Sequence, residues 1–379
     1  MTMAEGSDIP VGAAFDAWRL RALGAAEAAA LDPRALLEYC ACLGLLAPTT
    51  HNTVPQRIRI SAAQSQMAFA LDRRVILAES DPTGRQATIS LGASIANVTI
   101  GAEAAGVSVS TSVYEVDERS IRPAAAGTEP IVPIASVTFD RQAARGTTRS
   151  IEWVRAILTR KMVRAEFDER VRLDPSLASE LASIVAAHHP GLSLHVITDA
   201  PTLLALGKFQ ELADSTVINR VPFARELADW LVENDSDWPL GMRGREFGLS
   251  DIATRHFRDG LAGRGSLLPD EAVGFAKAGN TGMRSSSAVF VITTERDDLR
   301  HRLAAGYAFE EVALRLTMAG LAVAMHAGIT EVDAPNLALR GRLRTLRRPT
   351  VVFRTGKPLR PADADRFHAA RPSLAAISY

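Results

Sequence analysis

Two rhythms of apolar residues alternate along the chain, one with the period of a helix and one with the period of a strand. Phe15 to Ala30 is rich in Ala, Leu and Arg and reads as a helix. Asp32-Pro33 is a helix-start signal, with Asp32 as N-cap and Pro33 in the first turn, and the apolar run Leu36–Leu46 continues it. Arg57 to Ser61 alternates as a strand with one wet face, and Met67–Leu77 holds one or two more around Asp72-Arg73-Arg74. Asp81-Pro82-Thr83-Gly84 has the chemistry of a tight turn. A helix of small residues over 86–105 follows, capped by Gly106, and then strands Val107–Tyr114 and Ile131–Phe139. In the second half the pattern predicts helices at Ile151–Thr159, 176–188, 201–213, 223–232 and Leu303–Ala319. Strands are expected at Leu192–Thr198, Ala288–Thr294 and Thr350–Arg354. Asn234 to Asn280 lacks a sustained period and holds six glycines between Gly241 and Gly265. It reads as an irregular excursion, either a lid or a plain surface insertion.

The pattern also repeats. GASIANVTIGAEAAGVSV (Gly92–Val109) and GYAFEEVALRLTMAGLAV (Gly306–Val323) place glycines fourteen residues apart and end alike. Ile95/Phe309, Val98/Val312 and Ile100/Leu314 correspond. Duplicated halves would put these two helices near a pseudo-two-fold axis; a chance match of two Ala-Gly helix ends is the alternative. The boundary would fall near residue 148, giving lobes 12–148 and 149–379, with 234–280 as the excursion of the second.

Composition narrows the function classes. Of 379 residues, 47% are hydrophobic and 23% charged, and the net charge is zero, which gives no general attraction to nucleic acid or anionic membrane. With 6% aromatics a stacking surface for single strands is not expected. The basic cluster Arg340, Arg342, Arg344, Arg347 and Arg348 reads as a solvated helix face rather than a polyanion contact. Ala87–Ala105 carries one charge but is built of small and polar residues, so it reads as a buried soluble helix and not a membrane span. No signal peptide is evident, and Cys40 and Cys42 read as reduced thiols of a cytoplasmic protein. No Walker A, dinucleotide fingerprint, HExxH, paired CxxC or GxSxG is present, and His188-His189 is poor metal-ligand spacing, so no metal site is expected.

The stretch with the most chemistry is Ala47–Gln56, APTTHNTVPQ. Pro48 and Pro55 forbid a regular helix through it. What remains is an uncharged loop of hydroxyls, an amide, an imidazole and free backbone N–H groups. Such a loop can hydrogen-bond a planar polar heterocycle, or it can be a simple helix cap and connector.

The parts together resemble the nitroreductase superfamily, and within it the single-chain, double-lobed Acg-type proteins. The resemblance is carried by Pro48-Thr49-Thr50-His51-Asn52-Thr53-Val54-Pro55-Gln56 and by Asp81-Pro82-Thr83-Gly84-Arg85 leading into Ser90-Leu91-Gly92-Ala93. It is carried further by Arg160-Lys161-Met162-Val163-Arg164, and by Gly320-Leu321 followed by His326-Ala327-Gly328. It implies an α+β nitroreductase fold of two pseudo-symmetric lobes that mimic the usual homodimer. It implies one FMN held between lobes, with NADH or NADPH as reductant and a small organic molecule as substrate. Hydride would pass through flavin N5, in a nitroreductase-like reaction or a biosynthetic tailoring step; a flavin store or a degenerate scaffold without catalysis is the alternative. Pro48, Thr49, Thr50 and Asn52 would meet the ribityl chain and ring edge, and Arg160, Met162 and Arg164 the phosphate side. The backbone of Ala327 and Gly328 would face N5 and O4, with His51 and His326 as proton donors. Of Arg354, Arg360 and Arg371, Arg371 is expected to complete the phosphate pocket. The sequence departs from the family where Val54-Pro55-Gln56 stands for Gln-Pro-Trp and Met162 for a hydroxyl residue. No nucleic acid or membrane partner is implied; the chain would be a monomer with dimer-like internal symmetry or a weak homodimer.

Overall fold

Two antiparallel sheets of one topology flank a crossed pair of long helices. They are seen in a computed structural model, which describes residues 16–125, 127–142, 149–265, 269–360 and 368–379. The first half runs α1 (Ala25–Ala29), α2 (Pro33–Leu45), β1 (Gln56–Ser61), β2 (Gln66–Asp72), α3 (Arg85–Ala104), β3 (Ser108–Val113) and β4 (Ile131–Asp140). The second begins with α4 (Ile151–Thr159), α5 (Pro175–His188), β5 (Leu192–Ile197), α6 (Ala200–Ile218), α7 (Val221–Trp230), β6 (Leu231–Val232) and β7 (Met242–Arg243). It continues with α8 (Asp251–Leu261), α9 (Pro269–Arg284), β8 (Ala288–Thr294), α10 (Leu299–Met318), β9 (Ala322–Met325), α11 (Gly328–Glu331), α12 (Asp333–Leu343), β10 (Arg348–Gly356) and α13 (Leu374–Ile377).

The first sheet is ordered β1-β2-β4-β3 and the second β5-β8-β10-β9. In each, two antiparallel strands precede a 20-residue helix and two more follow it. The halves differ in the link between their first two strands. It is a four-residue turn, 62–65, in the first half and the helical run α6–α9 in the second.

Helices α3 and α10 pack with their backbones almost touching. A Cβ on Gly92 would collide with the Leu303 carbonyl, and one on Gly306 with the Ile89 carbonyl. Only glycine permits this reciprocal approach at these two positions. Nearly all of α3 is buried, as its small and polar composition required for packing on every side. Separate apolar clusters lie under the two sheets, and a third around Leu43, Ile100, Trp153, Ile157 and Leu314 joins α2, α3, α4 and α10.

Several expectations are corrected. The helix expected over Phe15–Ala30 is only a 3-10 turn, Asp16–Arg19, and the short α1, because Gly24 is extended where α1 begins; Phe15 lies outside the described residues. The helix expected at 201–213 runs five residues further, to Ile218, carrying Asp214 and Val217 with it. The irregular excursion contains α8 and α9. Ser250 caps α8, whose Ala253, Phe257 and Leu261 recur every four residues as a narrow apolar stripe in an otherwise charged sequence. Residues 143–148, at the expected boundary between lobes, lie outside the described residues. No helix among the described residues is long and apolar enough to cross a membrane.

Candidate active site

A cleft of about 1470 Å³ opens between the first half's Thr50–His51 loop and α3 start and the second half's β9, β10 and α6–α9. Its floor is prepared by the α3 entry turn. The Asp81 carboxylate accepts the amides of Gln86 (3.0 Å) and Ala87 (2.8 Å), and Gly84 takes φ +68° against the Ile121 carbonyl. Burial pushes the Asp81 carboxyl up to about 7, with Glu331 adding to it.

The loop after α2 is held in strained conformations. His51, Asn52 and Val54 all have positive φ, near 50°, which costs a β-branched valine most. The strain is over-determined by hydrogen bonds. Thr49 Oγ1 accepts the Val54 amide (3.1 Å), and Thr50 Oγ1 donates to Gln86 Oε1 (2.7 Å). Asn52, 5% exposed, donates through Nδ2 to the carbonyls of Gly241 and Ala370 (3.1 Å each) and accepts from Arg371 Nη1 (2.5 Å). This anchoring turns Thr50 and His51 into the cleft wall.

The structure separates the residues expected at the site into two sets. Thr50, His51, Arg164, His326, Ala327 and Gly328 line the cleft together. Pro48, Thr49, Asn52, Arg160, Met162 and Arg371 are not in its lining. Arg371, 3% exposed, donates to the carbonyls of Leu45 (2.8 Å) and Ala47 (3.1 Å) and closes the C-terminal end of α2. Arg160, 2% exposed, pairs with Glu310 (3.1 Å) and donates to the Leu46 carbonyl (2.6 Å). Met162 bridges to Val323 and packs on the second core. A helix end and the buried Glu310 have thus absorbed Arg160 and Arg371, while Arg164 reaches the cleft. Of the three arginines considered for completing that pocket, Arg354 and Arg360 line the cleft and Arg371 does not.

The second half supplies a cationic centre. Arg354 on β10 is 1% exposed. Its Nη2 donates to the carbonyls of Arg164 (3.0 Å) and Ala165 (2.9 Å), and its Nε to His326 Nε2 (3.0 Å). It lies over the Phe167 ring and has room only because residue 282 is glycine. Its Nη1 is buried without a partner. Burial lowers Arg354 to about 9, so it remains a cation at neutral pH. His51 is lowered to about 4 by burial and then by Arg164. His326 is held well below its ordinary value by burial, then Arg354 and Arg164. Both imidazoles are therefore neutral at pH 7, and the expectation of protonated donors is corrected. His326 uses Nε2 as an acceptor, whereas His51 Nδ1 is buried with no partner. The His326 amide donates to Val352 (2.9 Å), but the amides of Ala327 and Gly328 meet no protein acceptor among the described residues.

Facing this centre, α6 contributes Gln210 and Asp214, which the sequence reading missed. They are four apart, one helical turn, and Gln210 Nε2 donates to Asp214 Oδ1 (2.8 Å). Their signal was an acid and an amide on the face that also carries Val217, but the helix had been ended at residue 213. Beyond them the cleft becomes apolar, walled by Phe223, Leu227, Phe247, Phe257 and Phe275.

No family model matches the sequence, and no curated protein matches it. Among solved structures it is similar to the FMN-dependent nitroreductase NfnB of Mycobacterium smegmatis, solved with NADPH, at 15% identity and TM-score 0.37, over 59% of this chain and 95% of that one. It is similar to the FMN- and NADPH-dependent nitroreductase NfnB of Sphigopyxis sp. strain HMH at 18% identity and TM-score 0.38, over 59% of this chain and 96% of that one. A nitroreductase with bound FMN from Bacteroides fragilis matches at 13% identity and TM-score 0.33, over 54% of this chain and 88% of that one. At that level of superposition the likeness fixes nothing about the chemistry of this chain.

Proposed function

We propose that this protein is an FMN-dependent oxidoreductase of the nitroreductase type, acting on a small organic molecule with NADH or NADPH as reductant. Its two halves are duplicated lobes of one chain, meeting at α3 and α10, and a single FMN lies in the cleft between them. The identical strand order of the sheets and the reciprocal Gly92 and Gly306 contacts support the duplication. The molecule then needs no second subunit to complete the site. Residues 234–280 would serve as the roof of the cleft, and a cytoplasmic location accords with the two free cysteines.

The observation that carries the reading is the buried, unpartnered Nη1 of Arg354 in the cleft wall. A buried guanidinium N–H without an acceptor is costly, and an anionic or carbonyl-bearing ligand would relieve it. The free His51 Nδ1 and the amides of Ala327 and Gly328 add neutral donors to the same cleft. A cluster of N–H donors of this kind, set around a buried guanidinium, suits the phosphate and carbonyl edge of a flavin. Arg354 and Arg164 would hold its negative charge, Thr50 would meet its hydroxyls, and the two amides would face the ring. When bound, the flavin supplies a ring that accepts and returns a hydride. The protein's part is to fix that ring, to exclude water beneath the roof, and to place preorganised N–H donors where negative charge develops on reduction.

One observation favours a second reading, a degenerate scaffold without cofactor. Asn52, Arg160 and Arg371 are already satisfied by the chain itself. Arg354→Met separates the two. The flavin reading expects FMN affinity to fall by about 1.5–3 kcal/mol, the loss of a charged hydrogen bond. A wild-type protein that takes up no FMN would support the scaffold instead.

A further inference from the structure

We propose that the organic ligand of the cleft is an aromatic compound bearing an aliphatic amine, its nitrogen received by Asp214 and Gln210 and its ring by the phenylalanine-walled chamber. The proposal deepens the oxidoreductase reading, on which it rests for treating the cleft as a substrate site. The observations behind it are separate ones, on α6 and α9.

Gln210 is 3% exposed and its Oε1 is buried without a partner, while its Nε2 is committed to Asp214 Oδ1. Asp214 makes no other hydrogen bond among the described residues, and no cation pairs with it. Gln210 Oε1 and Asp214 Oδ2 thus stand side by side in the cleft wall without a donor among the described residues. Backbone closes in around them: a Cβ on Gly279 would strike Asp214 Oδ2, and one on Gly328 would lie 3.0 Å from Oδ1. The carboxyl is therefore fixed beside the Ala327–Gly328 loop and cannot swing to a cation elsewhere. An unpaired, partly buried carboxyl beside a buried amide oxygen is destabilising, and a ligand cation with several N–H donors removes that cost.

Place and scale follow from the helices. One turn further along α6 is Val217, and one turn back along α9 from Gly279 is Phe275, both in the cleft lining. The chamber they open lies roughly one helical turn, about 5 Å, from the carboxyl. A ring joined to an ammonium by a two- or three-carbon chain spans that gap.

Burial raises the Asp214 carboxyl to about 7, opposed by the Gln210 hydrogen bond. Several charged groups of the packed elements are engaged elsewhere. Glu331 of α11 pairs with Arg85, Arg220 before α7 pairs with Glu79, and Glu271 of α9 meets His256. Glu211 on α6 accepts from Asn280, and Arg342 of α12 donates to Thr202. Lys277 of α9 also lines the cleft and does not enter the Asp214 shift. Below about pH 7 the carboxyl must therefore lose its proton before it can pair with an ammonium. Affinity should weaken up to tenfold for each pH unit below that point, with a proton released on binding.

The test is calorimetric titration of the whole protein, with its flavin content read from the visible spectrum of the same sample. The probes are 2-phenylethylamine, 2-phenylethanol and 3-phenylpropionate, at about pH 6 and about pH 8. The amine is expected to bind at least ~10-fold more tightly than the alcohol at the higher pH, with the preference shrinking at the lower. Asp214→Asn should abolish the preference and leave the alcohol unchanged. Equal binding of amine and alcohol, tightest binding of the carboxylate, no binding of any probe, or a preference that survives Asp214→Asn would each overturn the proposal. The wild-type comparison decides the matter even if the variant does not fold. Flavin present without amine preference sinks this proposal alone; amine preference without flavin uptake sinks the flavin reading alone.

Discussion

Arg371 shows how a residue can carry the right chemistry for a ligand and be used by the fold instead. Its guanidinium closes the end of α2 and holds Asn52, which in turn holds the strained loop. Arg371→Met should leave several carbonyls and the Asn52 amide oxygen without donors, and cost about 3 kcal/mol. Urea unfolding would read this as a lower midpoint at unchanged slope; a loss below about 1 kcal/mol would mean the network is dispensable. Asp214 predicts the opposite sign. Its folded value, about 7, lies above the ordinary carboxylate value of 3.8. Its contribution to stability is thus fully present below about pH 4 and lost as pH rises through 7. Asp214→Asn should stabilise the protein at about pH 8, on the order of 2–4 kcal/mol, with the gain vanishing near pH 4. A pH-independent difference between the two proteins would contradict this. His51 drew attention through a loop of unusual composition and His326 through the family resemblance, and both line the cleft. Their neutrality was not legible, since it depends on burial beside Arg164, more than a hundred residues from either, and for His326 also beside Arg354 on the neighbouring strand.

At the scale of elements, α3 and α10 were the most legible parts of the chain. Their shared glycine spacing pointed to a common role before any contact was known. What spacing could not give was the reason, that residues 92 and 306 each meet the other helix's backbone. Gly92→Ala and Gly306→Ala should be strongly destabilising, by roughly 3 kcal/mol or more each, because a backbone cannot step aside. Gly101→Ala is the control. Its added methyl would press on the Leu43 side chain, which can rotate, so a cost about half as large is expected. Thermal melts of the three variants test this; equal costs would mean the helices shift freely. Helices α8 and α9 were the least legible, because the glycines and charges between residues 241 and 265 masked a narrow stripe, Ala253, Phe257 and Leu261 in α8, that does keep a helical period.

The whole molecule joins two sheets of one strand order around a cleft that neither half could enclose alone. The first half brings a neutral polar loop and the second a buried cation, an acid–amide pair and an apolar roof. The sequence suggested the division of labour but not which of its arginines reach the cleft. Of the arginines it chose, Arg164 lines the cleft, whereas Arg160 and Arg371 are consumed by the chain's own carbonyls and Glu310; the free Nη1 of Arg354 only the packed structure reveals. Arginines that satisfy helix ends and arginines that await an anion look alike in a sequence, and they separate once every acceptor has been assigned. The central claim is that this cleft holds one FMN between the halves. The visible absorption spectrum of the protein, read before and after addition of free FMN and desalting, tests it most directly. The account predicts a flavin spectrum at one FMN per chain, lost in Arg354→Met; a colourless wild-type protein that retains no added FMN would contradict it.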